Sequence, residues 1–408
     1  MRLDQFSIQS TRAATGCAIA LGFSIPVSVA LDNILLAAVL LCWLAATGFR
    51  EKFTVLRTHR VAQAALILFA LLALSIFWSG ETGEGLRLLG KYVDLVFIAV
   101  FVTLFGAERD RKRAGTFLIA AFLTTLLLSY LTRAGMISQG HPVIGTMDEP
   151  EVFKKYLTQS ILIACGAYLF ALLACTAATP GRRLIWALLS ITAIVNVCLM
   201  LSGRSGQITL AALSVLFVYT VWRYKGLALI AGALVLTTAA TVGGYAPENN
   251  RFATAVREFK SWQPGKGMRT STSQRIDYAL NSLAIVREHP LIGVGTGGFA
   301  AAYAAQVQGT NLEATVNPHN EYLNIAVQTG IPGMLAVMVL FFLVWRHARA
   351  LPTALERDLA RGLAVAFGIG CLFNSLLMDH VEGLFFAWSV GVLFGGYDPA
   401  RMNAAKTP

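Results

Sequence analysis

Charged residues are scarce in this chain. They make up 13% of its 408 residues, whereas soluble domains average about 25%. Hydrophobic residues make up 56%, and they fall into long apolar runs. The shortage of charge excludes a soluble globular domain. The runs predict an all-α polytopic membrane protein.

The apolar runs number about twelve, and each is long enough to cross a bilayer, which takes about 17–25 residues. They lie at 13–30, 32–49, 61–79, 86–106, 114–133, 156–177, 184–201, 206–222, 226–245, 321–345, 359–378 and 382–397. The chain is therefore expected to have three parts. Residues 1–245 hold the first nine spans, residues 246–320 form a large polar loop that is mainly helical, and residues 321–408 hold the last three spans and a C-terminal tail.

Acidic residues are also few. The chain has 22 Asp and Glu against 33 Lys and Arg, which gives a net charge of +11. This balance can indicate nucleic-acid binding, but the basic residues concentrate in alternate loops, notably at 50–60, 109–113 and 346–361. Cytoplasmic loops of membrane proteins carry such an excess of Lys and Arg. We therefore predict cytoplasmic termini, an outward-facing 246–320 loop, and acidic lipid rather than nucleic acid as the partner of the basic loops.

Cysteine is limited to six residues, and none lies in the polar loop. All six fall inside predicted spans: Cys17, Cys42, Cys165, Cys175, Cys198 and Cys371. There they are interpreted as small buried hydrophobes, which argues against disulfides and cysteine metal sites. The N-terminus also lacks the cleavage pattern of a secretory signal peptide, so the first apolar run is expected to stay as an anchor.

The 246–320 loop contains two motifs of interest. Hydroxyls at 271–273 can cap an amphipathic helix, and Arg275 would lie in its first turn. A cation there is mildly unfavourable with the helix dipole, which favours a role for Arg275 other than helix stability. The segment 289–299 has the form G-x-G-x-x-G, but no strand precedes it and no acidic residue follows about 20 positions later. We predict a turn where the backbone approaches another surface closely, not a dinucleotide site.

Ionisable residues inside spans are costly and favour a functional role. Arg87, Lys91 and Asp94 lie within the predicted span 86–106. Arg87 and Lys91 share a helix face because they are four residues apart. Two interpretations stay open: a Lys91–Asp94 ion pair with Arg87 reaching the surface, or a cationic wall near an anionic headgroup.

Two further residues lie at the outer ends of predicted spans. Arg204 is within Ser202–Gly206, where glycines and serines allow a tight turn and offer N–H groups that suit an anion. His319 precedes the run 321–345, and a neutral imidazole can take a proton near neutral pH. That run is predicted to break at Gly330–Gly333, because Pro332 removes a backbone hydrogen bond. The break would let the first half lie along the membrane surface and present His319 to a substrate.

The sequence gives only weak evidence for a metal site. Acidic residues cluster at 148–151 and at 379–382, but neither cluster has a specific ligand spacing. The first is interpreted as a surface patch. In the second, Asp379 and His380 lie close to the lipid boundary on a short turn. No metal site is predicted.

Taken in their order along the chain, these motifs resemble those of the O-antigen ligase and polymerase superfamily of bacterial envelopes, and those of its ligases in particular. The matching segments are Ser202–Gly206, Gln274-Arg275, Pro290–Phe299, and Asn317–Tyr322 running into Gly330–Gly333. The resemblance implies a GT-C-type glycosyltransferase of the bacterial inner membrane with its active site facing the periplasm. It implies a reaction, without a cofactor, that joins undecaprenyl-diphosphate-linked O-antigen to lipid A–core oligosaccharide.

The resemblance also implies roles for individual residues. Arg204 and Arg275 would hold the donor diphosphate, since arginines make paired, charge-assisted bonds to phosphate. His319 would deprotonate the acceptor sugar hydroxyl, which gives direct displacement with inversion at the anomeric carbon. Four residues are further candidates for the site: Arg87, Lys91, Asn320 and Asp379.

Two alternative functions stay open. An O-antigen polymerase uses the same donor but extends another lipid-linked chain. Polymerases often carry functional arginines in two outer loops, whereas one loop dominates here. A transporter of lipid-linked oligosaccharide would be expected to show inverted repeats, and the sequence shows no such repeat.

Overall fold

A computed structural model describes residues 2–137, 143–222, 251–267 and 269–404. Over these residues the chain is helical, apart from turns and one isolated β-bridge between Ile144 and Val152. The predicted span 226–245 lies outside the described residues. The α-helices described, in chain order, are α1 (Arg2–Val27), α2 (Val29–Ala45), α3 (Phe49–Thr58), α4 (Arg60–Ser75), α5 (Thr82–Lys91), α6 (Asp94–Leu104), α7 (Glu108–Arg133), α8 (Tyr156–Thr176), α9 (Pro180–Val195), α10 (Arg204–Trp222), α11 (Arg251–Ser261), α12 (Ser271–Glu288), α13 (Phe299–Gln306), α14 (Glu321–His347), α15 (Ala354–Gly370), α16 (His380–Phe394) and α17 (Pro399–Ala404).

Several helices are suited to a lipid environment. Among the described residues, six helical segments are long and apolar enough to cross a membrane: Arg60–Trp78, Glu108–Arg133, Tyr156–Thr176, Pro180–Met200, Arg204–Trp222 and Glu321–Ala350. Helices α2 and α3 form a further candidate, bent by 112°. The prediction of an all-α, multi-pass membrane protein is confirmed at this level. The count of about twelve spans stays a prediction.

Helix α16 is the centre of the helix bundle. Every one of its residues from Val381 to Phe394 is buried, as expected for a helix that is apolar on all sides. It packs against α1, α6 and α15, and the Trp388 indole donates a hydrogen bond to the carbonyl of Ala18 at 2.7 Å. The ends of α16 and of its neighbours therefore have fixed positions.

The predicted span 86–106 is wrong as a single helix. It is divided into α5 and α6, and Tyr92 is fully buried in the turn between them. The Tyr92 hydroxyl donates a hydrogen bond to the carboxylate of Glu321 at 2.6 Å. This tertiary contact accounts for the turn, which the spacing of apolar residues does not reveal.

Two other predicted spans are shorter than expected. The span 32–49 ends with α2 at Ala45, and α3 follows as an amphipathic helix that exposes Phe49 and Phe53. The span 359–378 ends with α15 at Gly370, and residues 371–379 fold into turns. The polar side chains of Asn374 and Ser375 are buried in these turns, where they hydrogen-bond to the 317–319 segment.

The glycine-rich segment forms the predicted close approach, which is confirmed. The N–H groups of Val294 and Gly295 donate to the carbonyls of Val327 and Gln328 at 2.8 and 2.9 Å. Gly293 has φ 65°, and a Cβ there would lie 2.4 Å from the carbonyl carbon of Gln328. Only glycine allows both this backbone conformation and this distance.

The predicted break in α14 is also confirmed. Gly330 has φ 72° and ψ −172°, which interrupts the helix before Pro332. The N–H of Ile331, which lies beyond the break, donates to the carbonyl of Pro290 at 2.8 Å. The first part of α14 is thus held against the segment that follows α12. The described part of the 246–320 loop is mainly helical, as predicted, with α11, α12 and α13.

Candidate active site

The structure brings Arg204 and Arg275 together. Arg204 is the first residue of α10. Arg275 is the fifth residue of α12, just beyond the first turn where it was predicted, because the N-cap is the Thr270 hydroxyl. Burial lowers the pKa of the Arg275 guanidinium, and the nearby charge of Arg204 lowers it further. Two cations this close repel each other, and an anion bound between them would remove that repulsion.

Glu258 supplies a negative charge to Arg204 within the protein. Its carboxylate on α11 lies 3.8 Å from the Arg204 guanidinium and accepts a hydrogen bond from the Thr272 hydroxyl. Sequence reasoning missed Glu258, because no local spacing connects α11 with the start of α10. The carboxylate lies where it would compete with a bound anion for Arg204.

The glycines around Arg204 have a different role from the one predicted. A Cβ at Gly203 or Gly206 would lie 2.2 or 2.3 Å from the Ser160 hydroxyl of α8, so both glycines allow close packing of α10 on α8. The N–H of Ser202 donates to the Glu149 carboxylate at 2.7 Å. The N–H of Ser202 is therefore occupied within the protein, while the expectation that N–H groups of this segment suit an anion stays a prediction for the start of α10.

His319 is held in an uncommon backbone conformation at the entry to α14. Its φ is 52°, and its N–H donates to the Asn317 side-chain oxygen at 2.9 Å. That oxygen also accepts a hydrogen bond from the Ser375 hydroxyl at 2.8 Å. The ring Nδ1 lies 3.4 Å from the Asn374 side-chain oxygen. The turn at 371–379 thus fixes both the backbone and the ring of His319.

Helix α12 connects the arginine pair with this histidine. Tyr278 lies three residues after Arg275, so the two side chains share a face of the helix. The Tyr278 ring stacks on the His319 ring, with centroids 6.3 Å apart and an interplanar angle of 29°. Arg204, Arg275 and His319 therefore lie around one region of the molecule. Tyr278 was not singled out from the sequence, although its position one turn after Arg275 is readable there.

Lys91 and Asp379 lie at the same region. Asp379 precedes α16, and burial raises the pKa of its carboxyl, while the charges of Lys91 and His319 lower it. Lys91 is half-buried at the end of α5. A carboxylate that interacts with both a lysine and the histidine is well placed to stabilise a protonated imidazole.

The alternative pairing of Lys91 with Asp94 is wrong. The Asp94 carboxylate lies 3.6 Å from the His380 ring, and Lys91 interacts with Asp379 instead. Arg87 is exposed and forms a two-bond ion pair with Glu84 on the same helix, with one of the two bonds at 2.7 Å. Arg87 therefore has an ion-pair partner on its own helix, one turn before Lys91.

Both the oxygen and the nitrogen of the Asn320 side-chain amide form hydrogen bonds within the protein. Its oxygen caps α14 by accepting a hydrogen bond from the N–H of Leu323 at 3.0 Å, and its nitrogen donates to the carbonyl of Leu372 at 3.1 Å. These bonds orient the entry to α14 relative to the 371–379 turn. Asn320 therefore supports the position of its neighbour His319.

The carboxylates of the site, Glu258 and Asp379, lie beside cationic side chains rather than in a metal-binding cluster. Among the residues that the structure describes, no group of three or more His, Cys, Asp or Glu side chains is arranged to hold a metal ion. Glu149 and Glu151 of the first acidic cluster instead accept hydrogen bonds from the N–H groups of Ser202 and Tyr156. All six cysteines are free. Of these, Cys371 is buried as expected, whereas three are half-buried (Cys17, Cys42 and Cys165) and two are exposed (Cys175 and Cys198).

Comparison with known families agrees with this arrangement. Residues 193–338 match the family model described as O-antigen ligase. The predicted resemblance to the O-antigen ligase and polymerase superfamily is confirmed over this region. The match includes Arg204, Arg275 and His319, and it covers about a third of the 408-residue chain. Lys91 and Asp379 lie outside the part matched by the O-antigen ligase family.

Comparisons with individual proteins are less informative. A search of curated proteins found no match to this chain. Among solved structures, the chain is similar to one from work described as "Structural coordination of polymerization and crosslinking by a peptidoglycan synthase complex". That similarity has 15% sequence identity and a TM-score of 0.48, and it covers 81% of this chain and 96% of the other.

Proposed function

We propose that this protein is an O-antigen ligase. It would transfer O-antigen from undecaprenyl diphosphate to the lipid A–core oligosaccharide on the periplasmic face of the bacterial inner membrane. The observation that carries the proposal is the pair Arg204 and Arg275, connected through α12 and Tyr278 to His319. The family match supports a ligase or a polymerase of lipid-linked polysaccharide.

The proposed reaction is a direct displacement. The acceptor sugar hydroxyl attacks the anomeric carbon of the donor as the bond from that carbon to the diphosphate oxygen breaks. His319 takes the hydroxyl proton, and undecaprenyl diphosphate leaves with the bonding electron pair. Attack from the side opposite the leaving group inverts the anomeric configuration. A well-placed base contributes about 10²–10⁴-fold to such a reaction.

The two arginines would stabilise the leaving group. Negative charge grows on the diphosphate as the glycosidic bond breaks, and fixed cations aimed at that charge lower the barrier. Arginine forks form paired bonds to phosphate oxygens, so the scheme needs no metal ion. Asp379, which interacts with both Lys91 and His319, would stabilise the imidazolium as it forms.

The proposal also includes the way in which the chain crosses the membrane. We infer about twelve spans in a GT-C-type arrangement, cytoplasmic termini, and a periplasmic loop at 246–320 that carries part of the active site. The concentration of Lys and Arg in alternate loops supports this orientation.

A reconstituted assay tests the reaction. Purified full-length protein, lipid-linked O-antigen and lipopolysaccharide that lacks O-antigen are expected to give conjugate in the presence of EDTA, with the anomeric configuration of the donor inverted. A strict requirement for a divalent ion, or retained configuration, would contradict the proposed chemistry.

Polymerase activity is the second candidate, because the family match includes both activities. The two differ in the acceptor, so loss of the gene distinguishes them. A missing ligase leaves long lipid-linked chains unattached, whereas a missing polymerase leaves single repeat units. A third outcome, normal conjugation by His319→Ala and Arg275→Ala variants that also translocate lipid normally, would favour a transporter.

A further inference from the structure

A fully buried carboxylate lies two residues after His319. Glu321 has both of its side-chain oxygens in hydrogen bonds: one accepts from the Tyr92 hydroxyl at 2.6 Å, and the other accepts from the N–H of Leu377 at 2.8 Å. Its own N–H donates to the carbonyl of Cys371 at 2.8 Å. A buried carboxylate is tolerated only with such partners, so its surroundings are built for it.

The partners of Glu321 come from separate parts of the chain, and each part carries a residue of the proposed site. Tyr92 directly follows Lys91. Leu377 is in the turn that ends at Asp379. Glu321 itself begins α14 next to His319. One carboxylate thus connects the backbones beside Lys91, Asp379 and His319.

The network continues towards the arginine-bearing helix. The Asn324 amide donates to the Tyr92 hydroxyl at 3.0 Å, and the Gln328 amide donates to the Asn324 side-chain oxygen at 3.1 Å. The Gln328 oxygen accepts from the N–H of Gly297 at 2.9 Å. The hydrogen bonds therefore run from Glu321 to the glycine-rich segment that follows α12.

We propose that Glu321 is a positioning residue for the transfer reaction. It fixes the separation of His319, Lys91 and Asp379 and does not itself contact substrate. This proposal rests on the proposed function and deepens it. Replacing both partners of a buried hydrogen bond with apolar groups of the same shape can be neutral or stabilising, so a buried acid that connects two other segments with its own points to a geometric requirement rather than to stability.

A glutamine at this position tests the requirement with little change in shape. The carboxylate accepts two hydrogen bonds, whereas an amide accepts at one end and presents N–H groups at the other. In Glu321→Gln the amide oxygen can still accept from the N–H of Leu377, but the amide N–H groups then face the Tyr92 hydroxyl, which already accepts from Asn324. The buried Tyr92 O–H loses its acceptor, which is costly, so the segments are expected to shift. Displacements of about 1 Å in an active site can cost about a hundredfold in rate.

The experiment compares steady-state kinetics of three full-length variants in the reconstituted assay. Glu321→Gln is expected to lower kcat by about tenfold to a hundredfold with the KM for lipid-linked donor little changed. Tyr92→Phe, which removes one of the two bonds, is expected to show a smaller loss of the same kind. Tyr130→Phe is the matched control, because it removes a single tyrosine hydrogen bond to the carbonyl of Thr192, between α7 and α9, and should leave kcat unchanged.

Each outcome has a defined meaning. Wild-type kcat in Glu321→Gln would overturn the proposal, as would a loss in both variants that merely follows a loss of folded protein in thermal unfolding. A rise in KM with unchanged kcat would also overturn it. If the wild type itself forms no conjugate, the proposed function fails. If the wild type is active and His319→Ala is inactive while Glu321→Gln is normal, only this inference fails.

Discussion

At the scale of single residues, the arginine pair is the strongest electrostatic feature of the site. Arg204 has a weak internal partner in Glu258, while the pKa of Arg275 is lowered by burial and by Arg204. Such a pair would bind a diphosphate more favourably than either arginine alone.

Arg275→Ala is expected to lower kcat/KM for conjugation by about 10²–10³-fold, the usual loss when one fixed donor to a developing negative charge is removed. Arg275→Lys should recover part of the activity, since lysine restores the charge but not the paired bonds. Arg287→Ala is the matched control, because Arg287 is exposed in the last turn of the same helix. Equal losses in the Arg275 and Arg287 variants would contradict a specific role.

Glu258 competes with substrate in this account. Glu258→Gln is expected to tighten binding of a lipid diphosphate by about two- to fivefold, in line with the strength of a partly exposed ion pair. Binding to purified protein by isothermal titration measures the change. Glu288→Gln, at an exposed position on α12, serves as the control, and weaker binding by Glu258→Gln would show that the carboxylate supports the site instead.

Lys91 should determine the pH dependence of activity. Burial raises the pKa of Asp379, and Lys91 opposes this rise, so Lys91→Met should raise that pKa further. Ionised Asp379 would then require a higher pH, and the acid limb of the kcat/KM profile should move to higher pH. Arg87→Met, one turn earlier on α5, should leave the profile in place because Arg87 pairs with Glu84.

At the scale of elements, the sequence predicted helix starts and breaks where neighbouring residues cause them. Hydroxyls at 271–273 indicated where α12 starts, although the N-cap is Thr270 and those three residues lie inside the helix. Pro332 among glycines predicted the break at Gly330. The turn at Tyr92 was missed because its cause, the hydrogen bond to Glu321, is a tertiary contact. The turns after Gly370 were missed because their sequence is largely apolar, although Asn374 marked them.

The glycine-rich segment gives a test of packing at this scale. Gly293→Ala and Gly330→Ala each place a Cβ at positive φ and within 2.6 Å of backbone atoms. Each is expected to destabilise the protein by about 1–3 kcal/mol, measured by thermal unfolding in detergent. Gly16→Ala is the control, since a Cβ there meets nothing within 4 Å. Unchanged unfolding of the first two variants would contradict the close approach.

At the scale of the whole molecule, the candidate site is assembled from segments that are distant in sequence. They are the α5–α6 turn, the start of α10, α12, the entry to α14 and the 371–379 turn. The alternation of basic loops predicts that all of them face the same side of the membrane, which is why the sequence could nominate Arg204, Arg275 and His319 together. It could not nominate Glu258 as a neighbour of Arg204, or the stacking of Tyr278 on His319, because contacts between segments far apart in the chain leave no local pattern.

The most direct measurement is an experimental structure of the full-length protein with undecaprenyl diphosphate bound. The account predicts diphosphate oxygens within about 3 Å of both the Arg204 and Arg275 guanidinium groups, with the Glu258 carboxylate displaced and the His319 ring facing the end that would carry the sugar. A diphosphate held elsewhere, with these two arginines turned away from it, would contradict the account.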